Sequence, residues 1–174
     1  MKGTFGLGAK VEALDGELPS VVFHWDAETE ILSGVLEGVE GGRGLTGSVE
    51  LEDHKGSVIT LDFQVGELRG IEVVVWPATE TVESLRRPEG DRQGCLVVPA
   101  RPSQPGVAVV EADVPLAVER SPDESVIHLR VGARHVVERV QLADHLLIEL
   151  DEDAEVAGFW LLEVPPFPEA EGTR

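Results

Sequence analysis

Apolar residues recur at every second position in this chain, in short runs that Gly, Asp and Pro cut before a helical face can accumulate. In "SVITLDF" Ile59, Leu61 and Phe63 share one side while Thr60 and Asp62 share the other, which is how a strand with one buried face reads. Sustained spacing of three and four is almost absent. The chain is therefore expected to be all-β and mostly antiparallel, in small barrel or sandwich units, because a wetted face alternating with a buried one belongs to antiparallel sheets. Candidate strands before Pro77 are "AKVEAL", "SVVFHW", "EILSGVLE", "SVELED", "SVITLDF" and "GIEVVVW". After it come "GCLVVPA", "VAVVEA", "PLAVER", "SVIHLRV", "VVERVQL", "HLLIELD" and "GFWLLEV". At most one short helix is expected, from Thr79 to Arg87, where Thr79 caps the start and two arginines close the last turn.

The pattern occurs twice. Val58 to Pro77 laid over Leu147 to Pro166 brings Leu61 and Asp62 onto Leu150 and Asp151. With one residue skipped near Gly66, it also brings Gly70 onto Gly158 and Pro77 onto Pro165. Upstream, Asp26 to Gly38 lies over Ser121 to Ala133, and "SVELEDHKGSVITLD" over "ERVQLADHLLIELD". Self-similarity at a long spacing marks a duplicated unit. The expected organisation is a first β unit at 1–77, a Pro-rich linker at 78–106, a second β unit at 107–166 and a disordered tail at 167–174. The strand closing each unit is apolar on both faces: Val73 and Val75 oppose Val74 and Trp76, and Phe159 and Leu161 oppose Trp160 and Leu162. Such strands are covered on both sides. The units are thus expected to pack through them as a pseudo-twofold pair.

At 174 residues, folding can bury about 70% of the surface the unfolded chain exposes, so no metal or disulfide staple is required. Lys and Arg number 14 against 33 Asp and Glu, a net charge of −19. That field repels phosphate, which argues against nucleic acid and anionic lipid and leaves a basic protein partner or self-association. The single Cys95 cannot form an internal disulfide, and nothing near it resembles a zinc-ligand spacing. The N-terminal stretch lacks the apolar core of a signal peptide and no run approaches a membrane span, so the expected location is the cytoplasm.

Chemistry-bearing patterns are sparse. Asp151, Asp153 and Glu155 take the first, third and fifth places of a calcium-loop spacing, and are the candidate metal ligands. The sixth place holds Val156 instead of Gly and the twelfth Leu162 instead of Glu, so a turn between two strands is the better reading. His24, His54, His128, His135 and His145 form no paired spacing; His24 and His128 alternate out of apolar strands and are expected to face solvent or a sheet edge. There is no Gly-x-Ser-x-Gly, and the Gly-rich stretches "GLGAK" and "GGRGLTGS" lack the remaining residues of a dinucleotide or phosphate loop. No catalytic residue and no cofactor is expected.

From "ESVIHLRVG" through "VVERVQLADHLLIELDEDAEVAGFWLLEV" the sequence resembles a family of short bacterial domains catalogued as a domain of unknown function, with an Asp-x-Asp turn followed by a Gly-Ile-Glu strand. The first half carries Gly70, Ile71 and Glu72 directly, whereas the second has Gly158, Phe159 and Trp160. That resemblance brings no established activity, and a catalytic role for Glu72 would be confined to one half. The N-terminal "LGAKVEALDGELPSVVFHWDAETEILSGVLEG", with Asp15 and Gly16 at a turn, looks like the opening of a PRC-barrel. That family implies a scaffold or adaptor. The expectation is a non-enzymatic interaction or scaffold module, with a divalent-metal or small-ligand binder acting through the acidic turns as the alternative.

Overall fold

The computed structural model describes residues 10–14, 16–37, 47–97, 112–133 and 135–168. Among them are fourteen strands and no helix. Those of the first half are β1 (Lys10–Ala13), β2 (Ser20–Trp25), β3 (Leu32–Glu37), β4 (Gly47–Glu52), β5 (Val58–Gln64), β6 (Glu67–Val75) and β7 (Ala78–Thr81). The rest are β8 (Arg92–Val97), β9 (Ala112–Asp113), β10 (Leu116–Arg120), β11 (Ile127–Val131), β12 (Glu138–Ala143), β13 (Leu146–Leu150) and β14 (Val156–Leu161). The alternation in the sequence sets which face is buried. In β5, Ile59, Leu61 and Phe63 are buried while Gln64 is exposed.

The fold is all-β and mostly antiparallel. One sheet runs β2-β3-β6-β5-β4, antiparallel throughout. The other runs β10-β11-β14-β13-β12 in the same order and sense. Their apolar faces share one contiguous core, with Phe23, Leu61 and Ile71 from the first sheet and Leu129, Ile148 and Phe159 from the second. Each such side chain contributes about 1.5–3 kcal/mol on burial, so this shared layer is the main favourable term.

The remaining strands tie the sheets together. After β6 the chain crosses to lay β7 parallel to β10 on one edge of the second sheet. β8 lies parallel to β12 on the other edge and antiparallel to β1, while β9 runs parallel to β4 of the first sheet. The C-terminal segment returns the exchange. Trp25 Nε1 donates to the Pro165 carbonyl at 2.8 Å, and Phe167 meets the Trp25 ring edge-on at 5.1 Å. Each sheet is thus completed by chain from the other half.

Four expectations change in the folded chain. The stretch from Thr79 to Arg87 is not a helix: Ala78–Thr81 is strand β7, followed by a turn in which Leu85 N donates to the Val82 carbonyl. An isolated nine-residue helix is marginal, and the β-branched Thr79 and Thr81 find a ready ladder on the edge of β10. The stretch expected to be a linker supplies both β7 and β8, and His128, expected at the surface, is largely enclosed. The closing strand β14 is buried along its whole length, but its outer face is covered by residues 82–91 and not by the first sheet. Leu85 packs with Leu147, Trp160 and Leu162 there, and Asp91 N donates to the Arg139 carbonyl at 2.8 Å. In β6, by contrast, Glu72 and Val74 are half-buried and Val75 is exposed.

The register differs by two residues from the one that the sequence overlay suggests. Gly70 lies opposite Asp62, and Gly158 lies opposite Glu149. Glu149, and not Asp151, therefore stands where Asp62 stands in the first sheet. The connections account for this. β5 and β6 join through the two-residue turn Val65–Gly66, both left-handed at φ 49° and 89°, whereas β13 and β14 join through Asp151–Glu155.

Candidate interaction site

The acidic run of residues 151–155 is a turn whose carboxylate serves the backbone. Asp151 is buried, and its Oδ1 accepts from the amides of Asp153 and Glu155, each at 2.9 Å. Asp153 is exposed and Glu155 half-buried, and Ala154 takes the left-handed position at φ 58°. The same device recurs at Asp53, which accepts from the amides of Lys55 at 3.0 Å and Ser57 at 2.9 Å, with Gly56 left-handed at φ 86°. Asp26 accepts from the amides of Glu28 and Thr29, and Asp123 from Ser121, Ser125 and the Ser125 amide. These bonds favour the ionised form. The Thr29 and Glu28 amides hold Asp26 below the usual carboxylate range, and the Ser121 hydroxyl and Ser125 amide do the same for Asp123. Burial opposes ionisation of Asp53, but the Ser57 and Lys55 amides outweigh it and leave that carboxyl lowered too. Among the described residues no group of three or more His, Cys, Asp or Glu is placed to hold a metal ion.

His128 stands between two carboxylates. Its Nδ1 lies 3.1 Å from Glu119 Oε1, and its Nε2 makes a short contact with Glu149 Oε1. Its side chain is 12% exposed, and the Trp160 indole stacks on it at 4.0 Å and 9°. Arg139 Nε donates to the other Glu149 oxygen at 3.0 Å. Burial pushes the Glu149 carboxyl up, but the hydrogen bond and charge of His128 and the charge of Arg139 overcome it and leave it lowered. The contact passes over Gly158, where a Cβ would come 2.8 Å from Glu149 Oε1 and 2.6 Å from the Leu129 carbonyl. A glycine inside an apolar strand marks such a close approach, and it was the one sign of this cluster in the sequence. With Leu85 and Trp160 over it, the cluster acts as a buried brace for the second sheet.

The outer face of the first sheet is open at its β2–β3 end, where Val22, His24 and Val35 are exposed, while Thr60 further along it is buried. Two cross-strand rows run over it. Val22, Val35, Gly70, Asp62 and Ser48 are successive partners in one row, and His24, Ser33, Glu72, Thr60 and Glu50 in the next. Val22 and Val35 are 53% and 54% exposed, side by side. Ser33 donates to Glu72 Oε1 at 3.2 Å and Ser48 to Asp62 Oδ1 at 2.6 Å, so the carboxylates are oriented. Of the remaining histidines, His24, His54 and His135 are exposed and His145 is half-buried beside Asp144.

At the seam between the sheets, Trp25 and Trp76 stack with ring centres 5.5 Å apart. With Phe167 and Ile127 they line a hollow of about 400 Å³ whose charged members are Glu30, Arg120 and Glu124. On the other side of Trp25 a second hollow of about 580 Å³ carries Asp26, Glu28 and Glu72. The open face, the acidic hollow and the aromatic hollow form one continuous surface through Trp25 and Glu72. Comparison with protein-family models and with curated proteins gives no match for this chain.

Proposed function

We propose that this chain is a non-enzymatic interaction module that docks a basic, partly apolar segment of a partner protein on the outer face of its first sheet. The observation that carries this reading is the contrast between two sheets of the same strand order. The second has its outer face covered by residues 82–91, while the first leaves Val22 and Val35 bare at its β2–β3 end, beside oriented carboxylates. Paired valines supply apolar area, and Asp62, Glu72 and Glu50 supply charge opposite in sign to a Lys- or Arg-bearing segment. The net charge of −19 adds long-range attraction for such a partner and opposes nucleic acid. The common strand order further supports descent from one duplicated unit whose two copies diverged on their outer faces, one closed and one open. The lone Cys95 fits work in a reducing compartment such as the cytoplasm.

The test is calorimetric titration with a capped peptide of alternating Lys and Leu. Binding is expected at low salt and should weaken steeply as salt rises to about 0.5 M, where charges are screened within a few ångströms. Val35→Lys and Glu72→Lys, both on the open face, should each weaken it about tenfold or more, since like charge is then set against the ligand. Equal binding by the wild type and both variants would remove this face from the interaction. Concentration-dependent self-association without peptide binding would replace the partner by a second copy.

A further inference from the structure

The seam hollow has a chemistry of its own. Both indole N–H groups are already engaged, Trp25 with the Pro165 carbonyl at 2.8 Å and Trp76 with the Glu30 carbonyl at 2.9 Å. What the two rings and Phe167 present to the hollow is therefore carbon and π surface. Of the charges around it, Arg120 lies 3.2 Å from Glu124 and 3.4 Å from Thr81 Oγ1, so each offsets the other. Glu30 forms no ion pair among the described residues, and it sits left-handed at φ 61°, held by its own amide to Asp26 and by Trp76. Beyond Trp25 the surface turns acidic, with Asp26, Glu28 and Glu72.

We infer that this hollow is a side-chain pocket for an arginine of the docked segment, its guanidinium lying against the indoles and facing Glu30 while the segment continues over Trp25 to the acidic hollow. The inference rests on the interaction reading above and names the subsite that gives it selectivity. A planar, weakly hydrated guanidinium stacks on an indole face better than a compact ammonium does, so arginine is preferred to lysine. The apolar walls take the propyl stem. A neutral isostere keeps the stem and loses the attraction to Glu30, and an acidic side chain meets like charge. The pocket is preformed because each indole is pinned by a backbone carbonyl from a different segment, which lowers the ordering cost of binding.

The test uses the full chain and capped Gly-Arg repeats, with matched peptides carrying lysine or citrulline, followed by calorimetry and by tryptophan emission. The arginine peptide is expected to change the emission and to bind about tenfold more tightly than the citrulline peptide and severalfold more tightly than the lysine one. Glu30→Gln, on an exposed side chain that the fold does not need, and Trp76→Leu should each erase most of that preference, and Glu30→Gln keeps the test valid if Trp76→Leu fails to fold. Equal affinity for arginine and citrulline peptides, or an arginine preference untouched by Glu30→Gln, would overturn the pocket. If the peptides still bind in that case and Val35→Lys still weakens them, the docking face stands without the pocket. If none of the basic peptides binds, both fall together.

Discussion

Single residues in this protein do two different kinds of work, and pH separates them. Glu149 is 1% exposed and is kept ionised by His128 and Arg139. Removing its partners leaves a buried charge without compensation, which costs about 3–5 kcal/mol. His128→Ala is therefore expected to lower the urea midpoint far more than His24→Ala on the open face. Glu149 has a lowered carboxyl in the fold, as do Asp26, Asp53 and Asp123. A carboxyl lowered on folding adds stability that is fully present above its unfolded value of about 4 and is lost as pH falls through its folded value. Stability measured by denaturant titration should thus decline as pH drops from about 5 towards 2, and Glu149→Gln should flatten part of that decline. The turn aspartates were legible as turn residues in the sequence. His128 was not, because the residues it meets lie on strands that only folding brings beside it, across a glycine whose meaning depends on its neighbours.

Elements follow the alternation closely where a strand has one wet face, and depart from it where the chain covers itself. β5 could be read directly, with Ile59, Leu61 and Phe63 inward. The doubly apolar β14 was also legible as a strand covered on both faces, but not what covers it. Residues 82–91 have no strong pattern; their position is fixed by Leu85 and by Asp91 bonding to β12, contacts that depend on the finished sheet. Leu85→Ser should uncover Trp160, shift tryptophan emission to the red and cost about 1–3 kcal/mol. Gly158→Ala places a methyl 2.6 Å from a backbone carbonyl that cannot easily yield. It should destabilise the chain more than Gly56→Ala, where φ is 86° but nothing lies within 4 Å. The acidic spacing of Asp151, Asp153 and Glu155 shows the limit of spacing as a guide: the same pattern serves a turn whose amides take up the first carboxylate.

For the molecule as a whole, one core and reciprocal crossings mean that neither half has a complete sheet by itself. Trp76→Ser, at the seam where the rings stack, is expected to lower one common melting transition. If the chain is divided after Val97, the pieces should stay unfolded apart and regain the native spectrum when mixed, because β7 and β8 in the first piece complete the second sheet. The all-β, mostly antiparallel build was legible in the alternation; the crossings were not, since parallel edge pairing leaves no mark in local alternation. Those crossings also bear on synthesis at the ribosome. The first sheet emerges with its oily side facing nothing, and the carbonyl that fixes Trp25 belongs to Pro165, 140 residues further along the chain. A nascent chain of this design cannot close its first sheet until that distant segment has also emerged, so its yield in a cell should depend on holdase chaperones more than its size alone suggests.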